Sequence, residues 1–278
     1  MKLATVRRGR ATTAVRVDDR GLHDLGVRDV GTLLREPDWR DRAQADDREI
    51  YSPESATYVA PVLNPGKILC VGLNYRAHIL EMGRDLPEYP TVFAKFAEAI
   101  VGPTDDIQLP PESNAVDWEG ELALVVGRPV RRAGAEAAAE AIAGFFVLND
   151  VTARDWQYRT TQWLQGKTFE STTPCGPVLV TPDELAGGVA PALQLTTMVD
   201  GEAVQEARTD DLVFGPVELV QYLSSIITLQ PGDIIATGTP GGVGQARQPA
   251  RYLAAGMTLT TRIEGIGQLD NRVVSTTD

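Results

Sequence analysis

Three carboxylates in this chain are spaced for metal chemistry. Glu119 and Glu121 stand one residue apart at the head of the strand-like run Val116-Asp-Trp-Glu-Gly-Glu-Leu-Ala-Leu-Val-Val126, and Asp150 ends the apolar run Gly144-Phe-Phe-Val-Leu-Asn-Asp150. Side chains at i and i+2 of a strand point to one face, roughly 7 Å apart along it. Two carboxylates there, among strongly apolar neighbours, repel each other and are costly to bury without a counter-charge. A hard divalent cation is the usual remedy, because it takes oxygen ligands and often keeps positions open for water or substrate oxygens. The chain therefore reads first as a metal-dependent enzyme, although a Glu-x-Glu pair alone also decorates exposed strands.

Other residues add chemistry to this core. His78 and Glu81 are three apart, so on a helix the carboxylate can orient the imidazole and raise its basicity, which suits a general base. Arg154 and Gln157 follow Asp150 within one or two helical turns and could hold a substrate carboxylate or carbonyl, Arg offering a bidentate fork. Lys167, in Gln165-Gly-Lys-Thr-Phe-Glu-Ser, sits between small and turn residues and could point inward. The run Ile234-Ile-Ala-Thr-Gly-Thr-Pro-Gly-Gly-Val-Gly244 is a strand entering a glycine-rich loop that could offer backbone N–H groups to a ligand. It lacks both the phosphate-loop Gly-Lys-Ser/Thr and the GxGxxG spacing. Taken alone, each of the side-chain motifs is more often a solvated surface feature, and the glycine-rich loop is as often an ordinary tight turn.

The elements that must position these residues are legible in outline. Residues 3–18 predict a hairpin around Arg8-Gly9-Arg10, and a short helix is expected near Val30–Arg35. The charged stretch 36–55 reads as a linker or irregular arm. Lys67–Gly72 is a buried-strand pattern running into helical spacing over Leu73–Glu81, and the Pro87, Glu88, Pro90 insert that follows is a candidate lid. Ala133–Ala143 predicts a helix stopping near Gly144. Shorter helices are expected over Ala153–Trp163 and Pro216–Ser225, within a β-rich remainder. The fold class is α+β, not alternating βαβ units. A small N-terminal accessory domain is expected over 1–60, and a metal-dependent catalytic domain over 61–278.

Composition narrows the function. With 38 acidic against 26 basic residues in 278, the net charge is −12. That argues against a nucleic-acid or anionic-membrane partner and requires a local cationic pocket or a metal for any anionic substrate. Cys70 and Cys175 have no metal-ligand spacing and suggest a reducing compartment, though one disulfide stays open. The start lacks an apolar signal core and no run reaches membrane-span length, so a cytoplasmic protein is expected.

Taken in order, the motifs resemble the fumarylacetoacetate hydrolase family, in its subgroup of acylpyruvate hydrolases and related decarboxylases and isomerases. The matching pieces are Val71-Gly-Leu-Asn-Tyr-Arg-Ala-His78 with Glu81, Asp117-Trp-Glu-Gly-Glu-Leu122, Asn149-Asp150 with Arg154 and Gln157, Gly166-Lys167, Pro174-Cys-Gly-Pro177, Pro231-Gly-Asp-Ile-Ile-Ala-Thr-Gly-Thr-Pro240 and Glu264-Gly-Ile-Gly267. The resemblance implies a β-roll catalytic domain, usually in a homodimer. It implies Mg²⁺ or Mn²⁺, with Ca²⁺ a further candidate, held by Glu119, Glu121 and Asp150. His78 and Glu81 would form a catalytic dyad on a lid, and Arg154, Gln157, Lys167 and Thr239 would line the substrate. One departure is Lys95-Phe96, where much of the family has Lys-Pro.

This resemblance favours a hydrolase that cleaves a C–C bond in 2,4-dioxo acids. His78, assisted by Glu81, would activate a water against the C4 carbonyl, and Lys167 would donate to developing oxyanion charge. Pyruvate would leave as an enolate stabilised by the cation. The same enolate chemistry serves a decarboxylase, or an isomerase, tautomerase or hydratase of a related 2-oxo acid. A non-catalytic, metal-stabilised binding protein is the alternative outside enzymes.

Overall fold

A computed structural model describes residues 1–45, 49–81 and 83–276, the side chain of Glu81 excepted. The N-terminal hairpin forms as expected: β1 (Lys2–Arg8) pairs antiparallel with β2 (Ala11–Asp18) around Gly9, whose φ of +61° suits a tight turn. β3 (Gly21–Asp24) extends the ribbon. Helix α1 (Val30–Leu33) starts where Asp29 caps the Thr32 N–H at 2.7 Å. The charged stretch after it is not a bare linker. Its described part forms α2 (Trp39–Gln44), which buries Trp39 and Ala43 against the sheet, followed by β4 (Ile50–Tyr51) and β5 (Thr57–Val59). The aromatic and alanine lie four apart, a helical face that the surrounding charges mask. Residues 46–48 of that stretch lie outside the described residues.

The rest of the chain follows with β6 (Ile68–Gly72), helix α3 (Arg76–Glu81), β7 (Thr91–Lys95), β8 (Ile100–Val101), β9 (Ile107–Leu109), β10 (Val116–Asp117) and β11 (Gly120–Val126). Helix α4 (Ala135–Ala141) leads into β12 (Ile142–Asn149), then β13 (Thr152–Ala153), α5 (Arg154–Gln157), α6 (Leu164–Lys167) and β14 (Thr173–Val180). The chain ends with β15 (Gln194–Val199), β16 (Glu202–Arg208), α7 (Pro216–Ile226), β17 (Ile234–Ala236), β18 (Thr258–Ile263) and β19 (Gly267–Ser275). Two expectations are corrected here. Of the helix expected over Ala153–Trp163 only the four residues of α5 form; 158–163 is irregular, and α6 begins just beyond it at Leu164. The alanine-rich helix yields at Ile142, two residues before Gly144, because the apolar run from Ile142 is taken into the sheet.

The main sheet runs β4-β3-β2-β1-β14-β12-β11-β17-β6-β7, antiparallel except between β17 and β6. The N-terminal ribbon joins it directly through β1 and β14. Strands β11 and β12 lie at its centre and are buried on both faces, which is why they read as continuous apolar runs. Leu122, Leu124, Phe145 and Val147 pack toward α4 and α7. Ala123, Val125, Phe146 and Leu148 pack toward α1 and α2. A second sheet, β16-β15-β18-β19-β9, stands beside Gly120 and Asn149, which pair where β11 begins and β12 ends. That end of the sheet carries the acidic residues.

Candidate active site

The three carboxylates converge. One oxygen from each of Glu119, Glu121 and Asp150 lies within 4.8 Å of the others, and all three residues are buried. Glu121 is on β11, as expected, but Glu119 is not on a strand; it sits in the break between β10 and β11. Neighbouring groups fix that break. Asn149 Oδ1 accepts from the Glu119 N–H at 2.9 Å, and the Asp150 N–H donates to the Glu119 carbonyl at 2.8 Å. The second sheet braces the same turn: Gln205 Oε1 accepts from Gly120 N–H, and Asn149 donates to Thr261 Oγ1.

A collar of cations surrounds the triad. The Lys167 ammonium donates to Glu119 Oε2 at 2.6 Å and Asp150 Oδ2 at 2.7 Å, while Lys95 donates to Asp150 Oδ1 at 2.6 Å. Arg154 pairs with Glu119 Oε1 at 2.6 Å and Asp117 Oδ2 at 2.8 Å, and donates to Gln157 Oε1. Burial alone would raise the Asp150 carboxyl, yet the Lys167 and Lys95 charges outweigh it and hold it down at about 2. Burial likewise works against the Lys167 ammonium, but Asp150 and Glu119 raise its pKa overall. Glu121 is different. Among the described residues no cation pairs with it, and it accepts the Gly238 N–H at 2.7 Å. Burial, then the charges of Asp150 and Glu119, push its carboxyl well above the usual range.

Asp117 and Lys95 are functional neighbours that sequence reasoning missed, although both stood in quoted motifs. Asp117 is buried and accepts from the N–H groups of Trp118, Gly244 and Gln245 as well as from Arg154. The glycine-rich loop thus directs N–H groups at Asp117 and Glu121. Gly238 must be glycine: its φ is +104°, and a Cβ there would meet Val71 O at 2.9 Å. Thr239, expected to line substrate, donates its hydroxyl to Gly120 O and accepts from Gln205.

Above the triad lies a cavity of about 410 Å³ that brings together His78, Glu119, Glu121, Arg154, Gln157, Lys167 and Thr239. Its other walls include Phe93 and Trp163, whose rings meet edge to face at 5.5 Å. His78 is half-buried on α3, which is anchored at its start by Asn74 bonding Phe214 and Thr237, and by Asp211 accepting the Ala77 N–H. The side chain of Glu81, the expected partner of His78, lies outside the described residues. Cys70 and Cys175 are both free and buried, and burial raises each thiol, so neither serves as a thiolate nucleophile.

The family model described as fumarylacetoacetate (FAA) hydrolase C-terminal matches residues 67–274. The chain belongs to the fumarylacetoacetate hydrolase family. Among curated relatives of the family, the oxaloacetate tautomerase FAHD2A of Bos taurus is 45% identical over 235 residues, covering 84% of this chain and 74% of the relative. The human FAHD2A oxaloacetate tautomerase is 43% identical with the same coverage. Solved structures of the family superpose throughout. The fumarylacetoacetate hydrolase of Exiguobacterium antarcticum matches with a TM-score of 0.87 at 31% identity, covering 99% of this chain and all of that one. The 5-carboxymethyl-2-hydroxymuconate delta-isomerase of Mycobacterium smegmatis matches with a TM-score of 0.80 at 32% identity, with the same coverage. These likenesses establish the β-rich fumarylacetoacetate hydrolase fold. The FAHD2A relatives are mitochondrial proteins, which overturns the expectation of a cytoplasmic location. Among the described residues, no helix is long and apolar enough to cross a membrane.

Proteins of this family are metal-dependent, and the donor set here fits a divalent cation. Three hard oxygens converge, and the buried shell of Asp117, Glu119, Glu121 and Asp150 against Lys95, Lys167 and Arg154 has four carboxylates for three cations. The excess negative charge is met at Glu121 by a proton or by a metal. Metal binding must therefore release that proton, and apparent affinity should rise with pH through the raised Glu121 pKa and fall below it. Calorimetry of Mg²⁺ or Mn²⁺ binding in buffers of different ionisation enthalpy should show release on the order of one proton per ion, lost in Glu121→Gln. A pH-independent affinity without proton release would refute this charge assignment.

Proposed function

We propose that this protein is a metal-dependent tautomerase that interconverts the enol and keto forms of a 2-oxo acid, with oxaloacetate the leading substrate. The observation that carries the reading is the 45% identity to an oxaloacetate tautomerase over 84% of the chain. The fumarylacetoacetate hydrolase of Exiguobacterium antarcticum stands at 31%. The C–C hydrolase favoured by the sequence resemblance is thus the weaker reading, and proton transfer alone is the better supported one.

The residues suit that simpler chemistry. Tautomerisation needs one proton delivered to C3 and one removed at the C2 oxygen, with no attacking water and no broken C–C bond. A divalent cation held by Glu119, Glu121 and Asp150 would supply a Lewis acid for negative charge developing on the C2 oxygen. His78 lines the same cavity, and imidazole is the side chain best suited to giving and taking a proton at neutral pH. In the direction of ketonisation it protonates C3 while the C2 hydroxyl proton passes to solvent; in reverse it removes the C3 proton and solvent returns one to the C2 oxygen, with Glu81 three residues on as its orienting partner. Arg154 and Lys167 keep the carboxylates fixed and ionised, and Gln157 and Thr239 flank the substrate.

The test follows enol-oxaloacetate by ultraviolet absorbance with Mg²⁺ or Mn²⁺ and with EDTA, while products are resolved by NMR. Metal-dependent loss of the enol to the keto form, with oxaloacetate intact, is the expected result. Pyruvate and CO₂ formed at a comparable rate would make the protein a decarboxylase. Acetate and pyruvate from acetylpyruvate as the faster reaction would restore the hydrolase.

A further inference from the structure

Arg84 is a cation in the cavity lining that pairs with nothing among the described residues. Arg154 and Lys167, which also line it, are already paired with Asp117, Glu119 and Asp150. Among the described residues, the Arg84 guanidinium makes no ion pair, hydrogen bond or ring contact. Its position is set by the backbone. Gly83, with φ of +67°, donates its N–H to Leu80 O at 2.9 Å, and the Arg84 N–H donates to Ile79 O at 3.2 Å. This paired pattern is a Schellman cap, which turns the chain sharply at the end of α3. The helix that offers His78 to the cavity therefore offers Arg84 to it as well.

The charge count says what such a cation is for. The buried shell holds four carboxylates and three cations, so a bound divalent ion leaves it one positive charge. That neutralises one substrate carboxylate. A second would face the apolar wall of Val71, Phe93 and Trp163, where an unpaired carboxylate is costly. It would also face the field of a protein whose net charge is −12. Arg84 supplies the missing charge in a form that grips a carboxylate with two parallel hydrogen bonds.

We propose that Arg84 binds the distal carboxylate of the substrate and makes the site selective for dianionic over monoanionic 2-oxo acids of the same length. This rests on the 2-oxo acid reading above and adds a specificity determinant to it. The test measures affinity, not turnover. Mg²⁺-loaded protein is titrated with malate and with 2-hydroxybutyrate, which share a 2-hydroxy acid head and differ at C4 as carboxylate against methyl. The wild type should prefer malate by about tenfold, the scale of one charge-assisted contact at a partly open site. Arg84→Gln should bring the ratio close to one, and Arg84→Lys should restore part of it. A wild type without the preference, an unchanged ratio in Arg84→Gln, or an equal loss of both ligands would each overturn the proposal. Enol-oxaloacetate turnover by the wild type separates this from the parent reading. Absent turnover with the malate preference intact would sink the tautomerase and leave Arg84 in its role; turnover with an insensitive ratio would do the reverse.

Discussion

Asp150→Asn is expected to cost stability and metal together, and the two losses should be separable. Lys95 and Lys167 both donate to this carboxylate, and both ammonium groups are buried, with side chains 0% and 2% exposed. An amide at 150 leaves Lys95 without a charge partner and Lys167 with Glu119 alone. Removing one member of a buried ion pair typically costs about 3–5 kcal/mol, because the remaining charge stays desolvated. For a protein of this size that lowers the melting temperature by on the order of 10 °C. Adding Lys95→Met removes the orphaned ammonium and should recover a large part of the melting temperature. It should not recover Mg²⁺ affinity, which we expect to fall by more than the roughly 10–100-fold of an outer-shell change. Unchanged metal titration in Asp150→Asn would remove Asp150 from the ligand set, and a melting temperature insensitive to Lys95→Met would refute the charge-network account.

The same network shows what the sequence could reveal and what it could not. The central strands were legible because burial on both faces leaves an unbroken apolar run, and β11 and β12 carry one each. The convergence of Glu119, Glu121 and Asp150 was legible as costly like charge in apolar company. The strand geometry assumed for Glu119 was not correct: the chain breaks at Trp118–Glu119, held by Asn149 and Gln205 from elements far away in sequence. Lys95 drew notice only for the phenylalanine after it, since an inward lysine is visible only once β7 is placed beside β6 at the sheet edge. Asp117 was hidden for a similar reason. An acid two residues before a metal-binding pattern reads as one more ligand or as a surface charge, whereas it organises Arg154 and the glycine-rich loop. Helix α2 was masked by its charges. The cytoplasmic expectation rested on a missing apolar signal core, a signal that speaks to secretion and does not discriminate among the other compartments.

The site therefore divides into a rigid floor and a roof that approaches along one helix. The floor is built from β11, the end of β12, α5 and α6, where nearly every charge meets an opposite charge. The roof is α3, tied at its start by Asn74 and Asp211 and capped at its end by Gly83. Changes to the floor should disturb metal and fold; changes to the roof should disturb proton transfer and selectivity.

His78→Ala tests that division most directly. Alanine is the best helix former, so α3 loses nothing intrinsic by the change. The buried anchors Tyr75 and Ile79 remain in place. A positioned general acid or base typically contributes about 10²–10⁴ in rate. Turnover of enol-oxaloacetate should fall by that factor, while Mg²⁺ affinity and melting temperature, which depend on the floor, stay near those of the wild type. Partial rescue by added imidazole would identify proton transfer as the missing function. A fall in metal affinity alongside turnover would instead tie His78 to the floor. Wild-type turnover in His78→Ala would remove it from the proton path and return that role to another group lining the cavity.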